Sequence, residues 1–256
     1  MHGHEWNGEQ DPTGWIISEK LDGLRAFWDG KRLFSKRGQP ILAPVDFTGP
    51  LPSGTCLDGE LWIDYGCFNT ISSMYRKSHL ANNADLWRDV KYCVFDAPMH
   101  PGSYPERHSF ASKSISGSGP HVCSIPIQRC LGLPHLKATL QEVTQKKGEG
   151  LMLYHPEAPH TPGRTSNLLK VKAYSEEDVK LLQCNPNSYS FLCEQKNGAT
   201  CTVKCSGWDY MNPPAPGTIL TVKHSGYFKT SQKLKYPFLL RFRPEITWQE
   251  IPNTQP

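Results

Sequence analysis

No stretch of this chain approaches eighteen consecutive apolar residues, so nothing in it predicts a membrane span. No basic segment followed by an apolar one opens it; Met1-His2-Gly3-His4-Glu5 lacks a secretory leader pattern, and His2 and His4 read as a disordered end. None of its nine cysteines forms a Cys-x-x-Cys pair. Cys201 and Cys205 come closest, and no histidine pair follows at finger spacing, so structural zinc is not expected. Buried thiols in a reducing compartment are the simpler reading. No glycine-rich run follows a strand pattern, which disfavours a dinucleotide or P-loop enzyme. The net charge of +4 excludes a histone-like polycation.

Acidic residues are also missing between Gly217 and Arg243, where Lys223, Lys229, Lys233, Lys235, Arg241 and Arg243 fall. A second basic cluster holds Arg25, Lys31, Arg32, Lys36 and Arg37, interrupted only by Asp29. Either stretch alone is an ordinary solvated face. Together, with aromatic rings between the charges, they suit a polyphosphate backbone.

With 256 residues the chain can build one large domain or two smaller ones. Trp15 to Ser18 reads as a strand delivering Glu19 and Lys20 to its end. Ala26-Phe27-Trp28 and Arg32-Leu33-Phe34 read as a hairpin around an Asp29-Gly30 turn. Thr55 to Trp62 and Tyr92 to Phe95 are further strand candidates, and Phe68 to Arg76 a short helix. Leu136, Leu140 and Val143 share a helical face that stops near Gly148. The Ser- and Gly-rich stretch from Ser109 to Pro120 reads as a loop. Leu151 to His155 and Leu168 to Val171 read as paired strands joined by a proline-rich turn. Beyond Lys172 the runs are short and β-like: Tyr189 to Cys193, Thr200 to Cys205, Gly217 to Lys223 and Phe238 to Arg243. The pattern predicts an α+β domain followed by a small β-barrel, divided near Ala173 to Glu177.

Six segments in fixed order concentrate chemistry at the ends of apolar runs: Lys20-Leu21-Asp22-Gly23-Leu24-Arg25, Ser35-Lys36-Arg37-Gly38, Leu57-Asp58-Gly59-Glu60-Leu61, Val94-Phe95-Asp96, Glu149-Gly150-Leu151-Met152 and Leu169-Lys170-Val171-Lys172. A lysine amine at the reference pKa near 10.4 is neutral in only roughly one molecule in 2,500 at pH 7, so a lysine nucleophile needs cations or a metal beside it. Lys170 and Lys172, alternating on one strand, can both point into one cleft while Val171 faces the core.

This series resembles the covalent nucleotidyltransferases, and most of all the ATP-dependent DNA ligases of the minimal two-domain kind found in bacteria, over about Trp15 to Glu245. The resemblance implies a nucleotidyltransferase (adenylation) domain of antiparallel sheets and helices over 1–173 and a C-terminal OB-fold barrel over 174–256. It implies sealing of 5′-phosphate/3′-hydroxyl nicks in duplex DNA by a monomer in an intracellular, DNA-containing compartment. ATP and Mg²⁺ (or Mn²⁺) are the implied cofactors. Lys20 becomes the residue that takes AMP. Glu149 becomes the first metal ligand, and Glu60 a ribose contact or second metal ligand. Phe95 stacks on adenine, and Glu19 lies near the base. Asp22 orients Lys20 or a metal-bound water. Arg25, Lys36, Arg164, Lys170 and Lys172 contact nucleotide or phosphate; Asp58, which could equally be a structural turn residue, is left out of the site. Lys36, Arg37, Lys223, Lys229, Lys233, Arg241 and Arg243 are the expected DNA contacts. Lys36 stands where the family usually has arginine, which alone grips phosphate with two parallel hydrogen bonds. The stretch Pro237 to Ile246 carries Glu245-Ile246 where larger ligases carry Asp-Lys, a departure that bears on self-adenylation more than on sealing. An RNA ligase or capping guanylyltransferase shares the lysine motif, and a nucleic-acid-binding module with an inactive core is the non-enzymatic alternative.

Overall fold

The computed structural model describes residues 1–77, 84–228 and 230–252, which divide into two compact units, Met1–Lys172 and Ala173–Pro256. The first unit opens with strands β1 (His2–Glu5), β2 (Ile16–Lys20), β3 (Leu24–Trp28), β4 (Leu33–Ser35) and β5 (Pro40–Ile41), then helix α1 (Val45–Thr48). Next come β6 (Leu57–Trp62), α2 (Phe68–Lys77), β7 (Lys91–Asp96), α3 (Tyr104–Ser114), β8 (Val122–Ser124) and β9 (Ile127–Arg129). It closes with α4 (Leu133–Gln145), β10 (Gly150–Tyr154) and β11 (Arg164–Lys172).

Two sheets organise these elements, in the orders β5-β4-β3-β6-β7-β8 and β1-β11-β10-β2-β9. Alternation along each strand assigns the faces. In the first sheet Ala26, Trp28, Leu57, Leu61, Tyr92 and Val94 turn inward, onto Phe47 of α1, Ile71 and Met74 of α2 and Ala111 of α3. Their neighbours Arg25, Glu60, Cys93 and Phe95 take the opposite face. In the second sheet Ile17, Leu151, Leu153, Leu169 and Val171 pack on Leu136 and Val143 of α4. The mostly apolar inward face is what leaves the charged residues of the same strands toward a cleft.

The second unit contains β12 (Ser175–Cys184), β13 (Ser190–Glu194), β14 (Thr200–Lys204), α5 (Gly207–Met211), β15 (Ile219–His224) and β16 (Phe238–Arg243). The strands close into a barrel in the order β12-β13-β14-β16-β15, with β14 and β16 parallel. Val179, Phe191, Val203, Leu220 and Val222 fill it. Among the described residues no helix is long and apolar enough to cross a membrane.

The structure differs from the sequence reading at several points, three of them as follows. His2 and His4 lie in β1, which pairs in parallel with β11. The Ser109 to Pro120 stretch is helical through Ser114, because Ser103 and Glu106 form a capping box that starts α3 upstream. The Asp29-Gly30 connection is four residues long, since Trp28 pairs with Leu33. Asp29 accepts from the backbone N–H groups of Lys31 and Arg32, which widens the turn.

Candidate active site

Lys20 ends β2 and Lys172 ends β11, and both are ladder partners of Gly150 at the start of β10. That register sets Glu149, one residue earlier, between two ammonium groups. Lys20 donates to Glu149, and Lys172 stands 3.4 Å from the other carboxylate oxygen. Gly150 has φ of 149°, and a Cβ there would lie 2.2 Å from the Val171 carbonyl oxygen. Only glycine allows β11 to approach this closely, which explains why a glycine follows the glutamate. Lys170, two residues from Lys172, is half-buried; burial first, then Lys172 and Lys20, lower its pKa.

On the other sheet Arg25 is the ladder partner of Glu60. Its guanidinium forks instead onto buried Asp58, with Nε to Oδ1 at 3.0 Å and Nη2 donating to Oδ2. It also donates to the Met1 carbonyl at 2.7 Å. Burial pushes the Glu60 carboxyl up to about 8, against the pull of Lys20 and Arg25. The Phe95 ring lies 5.7 Å from the Arg25 guanidinium. Glu19 accepts from the Tyr65 hydroxyl at 2.9 Å; burial and that bond push the phenol up to about 12.

These side chains surround a cavity of about 490 Å³, within the usual range for small-molecule sites. Lys20, Glu19, Arg25, Lys36, Glu60, Phe95 and Lys170 line it. Glu149 does not line it but is tied to Lys20. Asp22, Arg37, Arg164 and Lys172 are exposed and not among the lining residues. Among the lining residues that escaped the sequence reading, three stand out. Asp58, left out of the site there, is buried and anchors Arg25; Met1 and His2 reach the cavity because β1 joins the sheet. The Leu-Asp-Gly-Glu alternation did carry a signal, since Asp58 and Glu60 must share a face of β6.

In the second unit Lys233 and Arg241 are exposed and Lys223 half-buried, and Lys229 lies outside the described residues. The basic run is less unopposed than its sequence implies. Arg241 sits 3.5 Å from Glu176, and Arg243 pairs with Glu245 and stands 3.9 Å from Asp178. Lys223 lies 5.6 Å from the rings of Tyr174 and of Phe238.

The cavity suits a nucleoside polyphosphate: cations from Lys20, Arg25, Lys36 and Lys170, and an aromatic face from Phe95. Among the described residues no group of three or more His, Cys, Asp or Glu is placed to hold a metal. A cation here would therefore rest on one or two carboxylates and the phosphates themselves, the mode Mg²⁺ favours.

No family model matches the chain. The structure is similar to that of a Lig E DNA ligase described as binding DNA with a minimal scaffold, at 28% identity and a TM-score of 0.80, over 95% of this chain and 98% of that one. It shares its fold with a Chlorella virus DNA ligase-adenylate, at 19% identity and a TM-score of 0.55, over 95% and 97% of the two chains. The fold is that of the nucleotidyltransferases. At the level of sequence, the chain is 30% identical over 241 residues to a DNA ligase of Haemophilus influenzae, covering 87% of this chain and 84% of that protein. It belongs to the DNA ligases, of the minimal ATP-dependent kind.

Proposed function

We propose that Lys20 is the nucleophile with which this ligase seals nicks, in three in-line displacements. Lys20 Nζ attacks the α-phosphorus of ATP and pyrophosphate leaves; the AMP passes from Lys20 to the 5′-phosphate of the nick; the 3′-hydroxyl then displaces AMP. The observation that carries this reading is the convergence of Lys20, Arg25, Glu60, Phe95 and Lys170 on one cavity, with Glu149 bonded to Lys20.

Glu149 holds the Lys20 amine in place. Lys170 and Lys172 gather the phosphates and balance their charge, so transfer needs positioning and electrostatics more than a strong base. Asp58 holds Arg25 in its forked orientation, and Phe95 offers its face to adenine. Mg²⁺ or Mn²⁺ would be held by Glu149 and Glu60 and would neutralise phosphate charge. The order of the barrel strands, with the third and fifth parallel, supports an OB-fold reading of residues 174–256. Lys223 and Lys233 are then phosphate contacts on nicked duplex, and the protein works as a monomer.

Nicked duplex incubated with the protein, ATP and Mg²⁺ tests the reading on a denaturing gel. The joined strand is expected with wild type and absent with Lys20→Ala. Sealing by Lys20→Ala at the wild-type rate contradicts the assignment, and covalent labelling of the protein by GTP alone would favour a capping enzyme.

A further inference from the structure

Four register partners form one row across the first sheet: Arg25 on β3, Glu60 on β6, Cys93 on β7 and Cys123 on β8. Strand alternation puts Cys93 on the same face as Phe95, two residues on. The Cys93 and Cys123 sulfurs are 3.5 Å apart. Adjacent strands lie about 4.8 Å apart, inside the Cα separation a disulfide accepts. β8 is the edge strand of the sheet, and Cys123 is exposed while Cys93 is buried beneath it. The contact with Cys93 lowers the Cys123 thiol. A solvent-facing thiol beside a buried partner is the usual arrangement of a redox-active pair. Cys193 and Cys201 are also register partners, but both are buried in the barrel and burial pushes both thiols up.

We propose that Cys93 and Cys123 are a reversible disulfide modification site on the cleft face of this sheet, and that closing it by exchange with a small-molecule disulfide slows adenylation of Lys20. The Cys123 thiolate attacks the oxidant, such as oxidised glutathione; its S–S bond breaks and one glutathione thiolate leaves. Cys93 gives its proton to solvent and attacks Cys123 Sγ, forming the protein disulfide and expelling the second glutathione thiolate. The two cysteines are oxidised by two electrons and the glutathione disulfide is reduced by two. Drawing the sulfurs from 3.5 Å to bonding distance makes both side chains shift and ties β7 to β8. That shift lies beside Glu60 and two residues before Phe95. A displacement of about 1 Å at a reacting site can cost on the order of a hundredfold in rate. The rate effect rests on the roles given above to Lys20, Glu60 and Phe95; the disulfide itself does not.

The test starts from reduced wild-type protein, whose adenylation with ATP and Mg²⁺ is measured first; its failure would count against the proposed function. The protein is then treated with oxidised glutathione. The expected result is a mass lower by the two hydrogens lost, with no glutathione retained, and a cross-link joining the peptides that contain Cys93 and Cys123. The initial adenylation rate should fall by about tenfold or more, recover with a thiol reductant, and stay unaffected in Cys123→Ser. Absence of that cross-link, a cross-link without loss of rate, or an equal loss in Cys123→Ser overturns the proposal.

Discussion

At the scale of single residues, two cations of the site are held by a neighbouring carboxylate, Lys20 by Glu149 and Arg25 by Asp58. Asp58 is the clearest case, because its buried carboxylate takes both forks of Arg25. Asp58→Ala leaves a half-buried guanidinium with part of its donors unmet. It is expected to destabilise the protein by about 1–3 kcal/mol in urea unfolding and to lower adenylation as well; unchanged stability would mean that the pair does not anchor the strand. His2 gives a pH signature. Burial and the nearby Arg25 push its imidazole down from 6.5 to about 4. The unfolded chain takes up the proton near 6.5 and the folded chain only near 4. Unfolded molecules bind more protons in that window, so stability rises with pH across it. His2 therefore contributes stability that is full above about pH 6.5 and lost as pH falls toward 4. His2→Gln should flatten that part of the melting-temperature profile, and an identical profile would contradict the burial of this ring.

At the scale of elements, the turn from β2 to β3 depends on Gly23. A Cβ there would lie 2.3 Å from the Leu61 carbonyl oxygen and 2.8 Å from Glu60 Cγ. Gly23→Ala must push the turn off β6, at a cost of about 1–3 kcal/mol and with a loss of adenylation larger than the loss of stability would explain. Normal adenylation in this variant would show that the turn need not hold its place. The strands that carry Lys20, Glu60, Phe95 and Lys170 were legible in the sequence because each couples an apolar alternation to a charged or aromatic end. The cross-strand facts were not. Asp58 against Arg25, β1 against β11 and Cys93 against Cys123 arise from pairings between residues far apart in sequence, which no local periodicity encodes. The start of α3 was legible in principle, since Ser103 and Glu106 have capping-box spacing. The following serines and glycines read more loudly as loop.

At the scale of the whole molecule, two units of different architecture divide the expected work between chemistry and duplex binding. On the proposed function, affinity for nicked duplex should rest on phosphate contacts, and log K should fall with log salt by about 0.9 for each. Lys233→Ala is expected to reduce that slope by about one. Arg243→Ala should change it less, because Glu245 and Asp178 already occupy its guanidinium. Titrations of labelled nicked duplex across ionic strength decide this, and equal slopes for both variants would show that the ion pairs open on DNA.

The most direct measurement is intact and peptide mass spectrometry of the purified protein after incubation with ATP and Mg²⁺. A single AMP adduct on the peptide containing Lys20, lost in Lys20→Ala, is the predicted result. An adduct on another lysine, or none on a preparation that seals nicks, would contradict the account.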